Sequence, residues 1–125
     1  MLSDFPSYAT LPASDLERAR RFYEGTLGLT VDEVTAAGVM YKAKGSSLFV
    51  YPSTFAGTNQ ATAVGFRVTD LRATVAELKG RGVKFEEYSH PTFGTVDGIA
   101  RTPAGYAAWF KDTEGNIIGL FQPRM

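Results

Sequence analysis

No cysteine occurs in this chain of 125 residues, which excludes disulfides, thiolate metal sites and cysteine nucleophiles together. Histidine and tryptophan are each present once. Charge of one sign is also missing: 13 Lys and Arg balance 13 Asp and Glu, so no net field favours nucleic acid or an anionic membrane, and a charged ligand must be held by a local group. No apolar run approaches the roughly 20 residues that span a bilayer, and the opening MLSDFPSYAT lacks the basic-then-apolar pattern of a secretion signal. The expectation is a soluble, cytoplasmic protein with no nucleic-acid or membrane partner.

What is present is enough for a core. A hydrophobic fraction of 44% beside 21% charged residues suits one compact domain that needs no staples. Within it the sequence repeats: residues 8–23, YATLPASDLERARRFY, return as residues 63–78, AVGFRVTDLRATVAEL, with Asp15-Leu16 answering Asp70-Leu71. Two modules follow, one at about residues 5–55 and one at about 60–123, inside a single domain covering residues 1–125. Two such units can enclose a groove between them.

Each module reads βαβββ. Ser14 followed by Glu17 has the spacing of a capping box, and Leu16, Ala19, Phe22 and Tyr23 then recur at helical spacing until Gly25 and Gly28. Three strand-like runs come next, at Leu29 to Thr35, Val39 to Lys44 and Ser47 to Tyr51. After a connection rich in Pro, Ser, Gly and Asn the pattern restarts. A strand at Ala63 to Thr69 leads to a helix marked by Leu71, Val75 and Leu78, then to strands at Val83 to Tyr88, Tyr106 to Lys111 and Ile117 to Gln122. The segment Ser89 to Gly105 holds His90 and two prolines, and reads either as a lid or as an elaborated hairpin connection.

The run Leu11-Pro12-Ala13-Ser14-Asp15-Leu16-Glu17-Arg18-Ala19, with Phe22-Tyr23 and Leu27-Gly28-Leu29, resembles the opening motif of the glyoxalase/bleomycin resistance protein/dioxygenase superfamily, the vicinal oxygen chelate group. Val68-Thr69-Asp70-Leu71 and the closing Phe110-Lys111-Asp112-Thr113-Glu114-Gly115-Asn116 strengthen the likeness, with Thr113 where proline is usual. The resemblance implies an α+β fold of two tandem βαβββ modules, curled mixed sheets around a cleft with helices outside, and a homodimer.

It also implies where a metal would be held: by one residue in the first strand and one in the last strand of each module. Counting from the Asp-Leu motifs gives Tyr8 and Ala63; counting from Gly45 and Asp112 gives Val50 and Gly119. Divalent metals take imidazole nitrogen or carboxylate and carbonyl oxygen, whereas a phenol of pKa about 10 is a poor ligand and Val, Ala and Gly offer no donor. With a single histidine besides, no metal or other cofactor is expected, and metal-dependent glyoxalase I or extradiol dioxygenase activity is disfavoured.

Strand alternation sends Leu11, Val64, Phe66 and Val68 under the helices and turns Tyr8, Thr10 and Arg67 the other way. Arg67 would then be either a hook for a ligand carboxylate or one half of an ion pair at the rim. Aromatic residues add a stacking surface: Tyr106, Trp109, Phe110 and Phe121 in the second module, with Tyr41, Phe49 and Tyr51 in the first. Trp109 has a cavity reading and a core reading, and His90 is either a lid residue touching ligand or a locally bonded loop histidine. The cleft candidates are therefore Tyr8, Thr10, Tyr41, Val50, Arg67, His90, Trp109, Gly119 and Phe121.

Three functions are open at this level. The first is metal-free binding of a small organic molecule between the modules, in the manner of bleomycin-resistance proteins. The second is a metal-independent lyase or isomerase using Tyr8 or His90 as acid or base and Arg67 as an electrostatic stabiliser. The third is a non-catalytic association or regulatory subunit whose cavity is filled.

Overall fold

A computed structural model describes residues 1–91 and 93–124, and contacts divide the chain into two compact units. The first comprises Met1–Thr58 with Thr113–Asn116; the second comprises Asn59–Asp112 with the chain from Ile117 onward. The class is α+β, as expected.

In the first unit the order is β1 (Ala9–Ala13), α1 (Leu16–Arg20), β2 (Thr30–Thr35), β3 (Gly38–Ala43) and β4 (Ser46–Pro52), with a single wide π-helical stretch, Arg21–Thr26, continuing α1. The sheet runs β1-β4-β3-β2, with β1 parallel to β4 and the other pairs antiparallel. Period-two alternation buries Leu11, Ala13, Val39, Tyr41, Leu48 and Val50 on one face, against Ala19 and Tyr23 of the helical segment. The rings of Tyr23 and Tyr41 stack at 5.9 Å and 27°. Tyr41 keeps its polar end satisfied by donating its hydroxyl to Glu24 Oε2 at 2.7 Å, and Arg20 holds the same carboxylate at 2.8 Å. Burial, then the neighbouring carboxylate, pushes the Tyr41 phenol well above its ordinary value, while the Arg20 hydrogen bond draws Glu24 down. Tyr41→Phe should therefore cost about 1 kcal/mol, the size of one hydrogen bond to a half-exposed carboxylate. A lower urea midpoint at unchanged slope would register it, and an unmoved midpoint would refute it.

In the second unit the order is β5 (Thr62–Arg67), α2 (Leu71–Gly80), β6 (Ser89–His90), β7 (Phe93–Val96), β8 (Ile99–Thr102), β9 (Gly105–Lys111) and β10 (Ile117–Pro123). The sheet runs β5-β10-β9-β8-β7-β6, with β5 parallel to β10. Leu71, Val75 and Leu78 of α2 are buried, as are Ala108, Phe110, Ile118 and Leu120 of the sheet. Each of the larger side chains contributes about 1.5–3 kcal/mol by leaving water.

The duplicated Asp-Leu pair is a helix start in both units. Asp15 accepts from the Arg18 backbone N–H and Asp70 from that of Ala73, each at 3.1 Å, and both have nearly the same extended backbone. Ser14 is thus not the cap that the capping-box spacing suggested. Its hydroxyl donates instead to Glu114 Oε1 at 3.1 Å, in the turn 113–116.

That turn carries the most densely bonded carboxylate among the described residues. Glu114 has a fully buried side chain and accepts from Arg18 Nε at 2.8 Å, Arg18 Nη2 at 3.0 Å, the Asp15 N–H at 2.9 Å and Thr113 Oγ1 at 2.8 Å. Asn116 Nδ2 donates to the Pro12 carbonyl at 2.8 Å. Two glycines permit the approach. A Cβ on Gly57 would stand 2.8 Å from the Glu114 carbonyl oxygen, and one on Gly115 would stand 3.0 Å from Gly57 Cα; both residues have φ in the left-handed region, at 76° and 88°.

One expectation is corrected here. Val83 to Tyr88 is not a strand: only Phe85 makes a bridge, to Phe110, and Glu86 donates its N–H to the Trp109 carbonyl. Side chains take part in the bonding that a ladder would have used. The Tyr88 N–H donates to Thr95 Oγ1 at 2.7 Å, and Glu87 Oε1 accepts from the Gly98 N–H at 2.8 Å. Conversely, the described part of Ser89 to Gly105 is largely strand. It fits the elaborated hairpin connection, turning at Asp97-Gly98 with φ of 54° and 81°.

Candidate functional site

The register of each parallel pair fixes which positions of the two units correspond. Thr10 pairs with Phe49 and Gly65 pairs with Gly119, and the repeat places Thr10 opposite Gly65. The counterpart of Gly119 is therefore Phe49, and Val50 corresponds to Leu120. Val50 and Gly119, counted from the two turns, are therefore not equivalent positions. Two residues separate β3 from β4 but five separate β9 from β10, so counting from the turns slips.

Val50 and Tyr41 are removed from the candidate face by burial. They are 1% and 0% exposed, and Tyr41 points its hydroxyl at Glu24. Tyr8, Thr10, Phe49 and Tyr51 occupy the opposite side of the first sheet. Tyr8 meets Phe49 edge to face at 6.4 Å, and Phe49 and Tyr51 lie nearly parallel at 6.1 Å.

The second unit gathers more. Alternation puts Gly65, Arg67, Ala107, Trp109, Gly119 and Phe121 on the face away from α2, with Gly119 between Gly65 and Trp109 in register. A Cβ built on Gly119 would lie 3.4 Å from both Cδ1 and Nε1 of Trp109 and 3.2 Å from Thr62 Cγ2. The indole rests on the glycine. Around it Tyr88 stands edge-on at 5.4 Å, Phe93 tilts at 5.5 Å, and His90 stacks on Phe93 at 5.1 Å. Thr62, Tyr88, Phe93, Trp109, Ile117 and the 60–61 segment line a cavity of about 220 Å³. Among the described residues the Trp109 N–H has no acceptor. Burial, then the charge of Glu86, pushes the Tyr88 phenol up, which keeps it a neutral donor.

Arg67 is exposed beside Phe121, two residues along β5 from Gly65, a distance of about 7 Å. It makes no ion pair among the described residues. Tyr106 and Phe110 do not join this surface. Phe110 is 1% exposed and packs on Phe85, and Tyr106 lies under Arg72 of α2. The contributions of Tyr88, Phe93 and Thr62 were not foreseen. The sequence marked Tyr88 as the end of a strand and Phe93 as part of a connection, with no periodicity to aim either ring.

A metal does not fit these residues. The positions at which the resemblance implies ligands, Tyr8, Ala63, Gly119 and either Val50 or Phe49, the register counterpart of Gly119, offer one phenol and otherwise no ligating side-chain atom. Among the described residues no group of three His, Cys, Asp or Glu side chains could hold a metal ion.

A βα unit whose first strand lies parallel beside the last strand of its sheet, present twice in one chain, defines an α+β protein of the glyoxalase-like class. The sequence model of the glyoxalase/bleomycin resistance protein/dioxygenase superfamily matches residues 6–120, and the chain belongs to that superfamily. Among solved structures it is similar to TnmS3, an antibiotic binding protein from Streptomyces sp. CB03234, with 27% identity, a TM-score of 0.72 and 96% of each chain covered. A glyoxalase/bleomycin resistance protein from the same organism is 28% identical at a TM-score of 0.67, covering 93% of this chain and all of its own. The fosfomycin resistance protein FosX from Listeria monocytogenes shares the fold at 14% identity and a TM-score of 0.70, covering 97% of this chain and 94% of its own. No curated protein matches the chain. No helix among the described residues is long and apolar enough to cross a membrane.

Proposed function

We propose that this protein binds a small, flat organic molecule, without a protein-bound metal, against the aromatic face of its second unit. The observation that carries the proposal is the Gly119 position. Where the superfamily resemblance implies a metal ligand, this chain has no side chain, and the Trp109 indole lies over the backbone as the floor of a cavity walled by Tyr88 and Phe93. Rings set at steep angles bind a planar ligand by stacking and edge contact, and the indole N–H supplies one directional bond. Arg67, further along the same face and beside Phe121, is placed for an anionic group on the ligand. Similarity to an antibiotic binding protein supports binding rather than turnover.

Trp109 is the only tryptophan, so its fluorescence reports the site directly. Titration with bleomycin and with 2-naphthoate should quench it saturably for at least the flat aromatic acid, and Arg67→Gln should weaken naphthoate binding by about tenfold, the cost of one charge-assisted contact. Folded protein whose emission is unmoved by either compound would sink the proposal.

A further inference from the structure

Besides Arg67, three guanidinium groups of the second unit, on Arg72, Arg101 and Arg124, are exposed and without a carboxylate partner among the described residues. Two of them share one ring: Arg72 Cζ lies 5.6 Å and Arg101 Cζ 5.8 Å from the centre of Tyr106. Arg101, Tyr106 and Gln122 are direct neighbours across β8, β9 and β10, so their side chains share a face. Gln122 is oriented as well, because its Oε1 accepts the Leu71 backbone N–H at 2.8 Å, which leaves its Nε2 as a donor.

Arg101, Tyr106, Gln122 and Arg124 line a cavity of about 320 Å³ with Thr102 and Gly105. The Thr102 hydroxyl is already engaged with the backbone of Ala104 and Gly105. No Asp or Glu is among the described residues of this lining, and Asp97 lines a neighbouring cavity that shares only Arg101 with it. Among the side chains of the described lining, what remains is two full positive charges and an amide N–H, with the Tyr106 hydroxyl able to accept. Such a cavity selects an anion. A carboxylate is satisfied by one forked guanidinium, whereas a phosphate dianion presents oxygens to donors arriving from several strands. The volume leaves room for an attached organic group.

We propose that this cavity binds a phosphomonoester, with Arg101, Arg124 and Gln122 on the phosphate oxygens and Tyr106 fixing the guanidinium of Arg101 by its ring face. Tyr106 and Trp109 are three residues apart on one strand and project to opposite faces, so this site is separate from the aromatic one. Its failure would leave the aromatic site untouched.

Nitrogen-resolved NMR of the full chain at constant ionic strength tests the assignment, with phenyl phosphate, inorganic phosphate and benzoate as probes. Phenyl phosphate should shift the Gln122 amide and Arg101 Nε–H signals saturably and bind more tightly than the other two. Arg101→Gln and Arg124→Gln should each weaken it by roughly tenfold, and Trp109→Ala should leave it unchanged. Inorganic phosphate or benzoate binding as tightly would overturn the phosphomonoester assignment. Shifts that do not saturate, or that persist unchanged in both folded arginine variants, would overturn the site itself.

Discussion

Gly119→Val is expected to unseat the Trp109 indole and abolish the fluorescence response to flat aromatic ligands. The backbone at Gly119 is ordinary extended strand, so the effect is one of space. Even a methyl group would press Thr62 at 3.2 Å and stand in contact with the indole at 3.4 Å, so the further methyls of a branched side chain compete with the ring for its volume. Overpacking of this kind costs about 1–3 kcal/mol. Gly119→Ala, which asks Thr62 to give by only a few tenths of an ångström and leaves the ring in ordinary contact, should show a smaller loss. Melting temperature and naphthoate titration separate the two consequences. A folded valine variant that binds naphthoate normally would show that the indole is not the floor of the ligand site, whatever its stability.

Glu114→Gln should lower stability at neutral pH by about 2–3 kcal/mol, because an amide of the same shape surrenders charge-assisted bonds to Arg18 and turns a donor toward other donors. In a chain of this length that is a fall in melting temperature of about 8–12 °C. Burial by itself would push the Glu114 carboxyl up, but hydrogen bonds from Arg18, the Asp15 backbone, Thr113 and Ser14 outweigh it and hold the group down to about 2, against an ordinary 4.5. A depressed folded-state value means the stabilisation is fully present above the unfolded-state value and is lost as pH falls from there through the folded-state one. The gap between wild type and variant should therefore be constant above pH 4.5 and shrink between 4.5 and 2. A gap that does not narrow with acid would assign the loss to packing and not to the charge.

Much of this fold was legible because its signals are local. The repeated Asp-Leu is a side chain capping the helix that follows it, and the alternation of Leu11 and Ala13 is enough to orient β1. Asp97-Gly98 was legible too, as a tight hairpin signal, yet it stood inside a segment judged by its length and prolines. The candidate site was less legible. Val50 and Gly119 were counted from the turns at Gly45 and Asp112, but register between distant strands depends on turn length, and turns of two and five residues put the two counts on positions that are not equivalent. Tyr88 and Phe93 approach Trp109 because Thr95 and Glu87 hold irregular backbone in place, and no spacing rule encodes that.

The turn 113–116 lies in the chain between two strands of the second unit but is built into the first, through Glu114 and Asn116. The first unit is not complete in its own stretch of sequence. A gene severed after codon 58 would leave one product short of the segment that clamps its helix, and would give the other a turn whose partners are elsewhere. The two halves have therefore to be inherited and translated together, because the first takes the clamp on its helix from a turn that the second encodes.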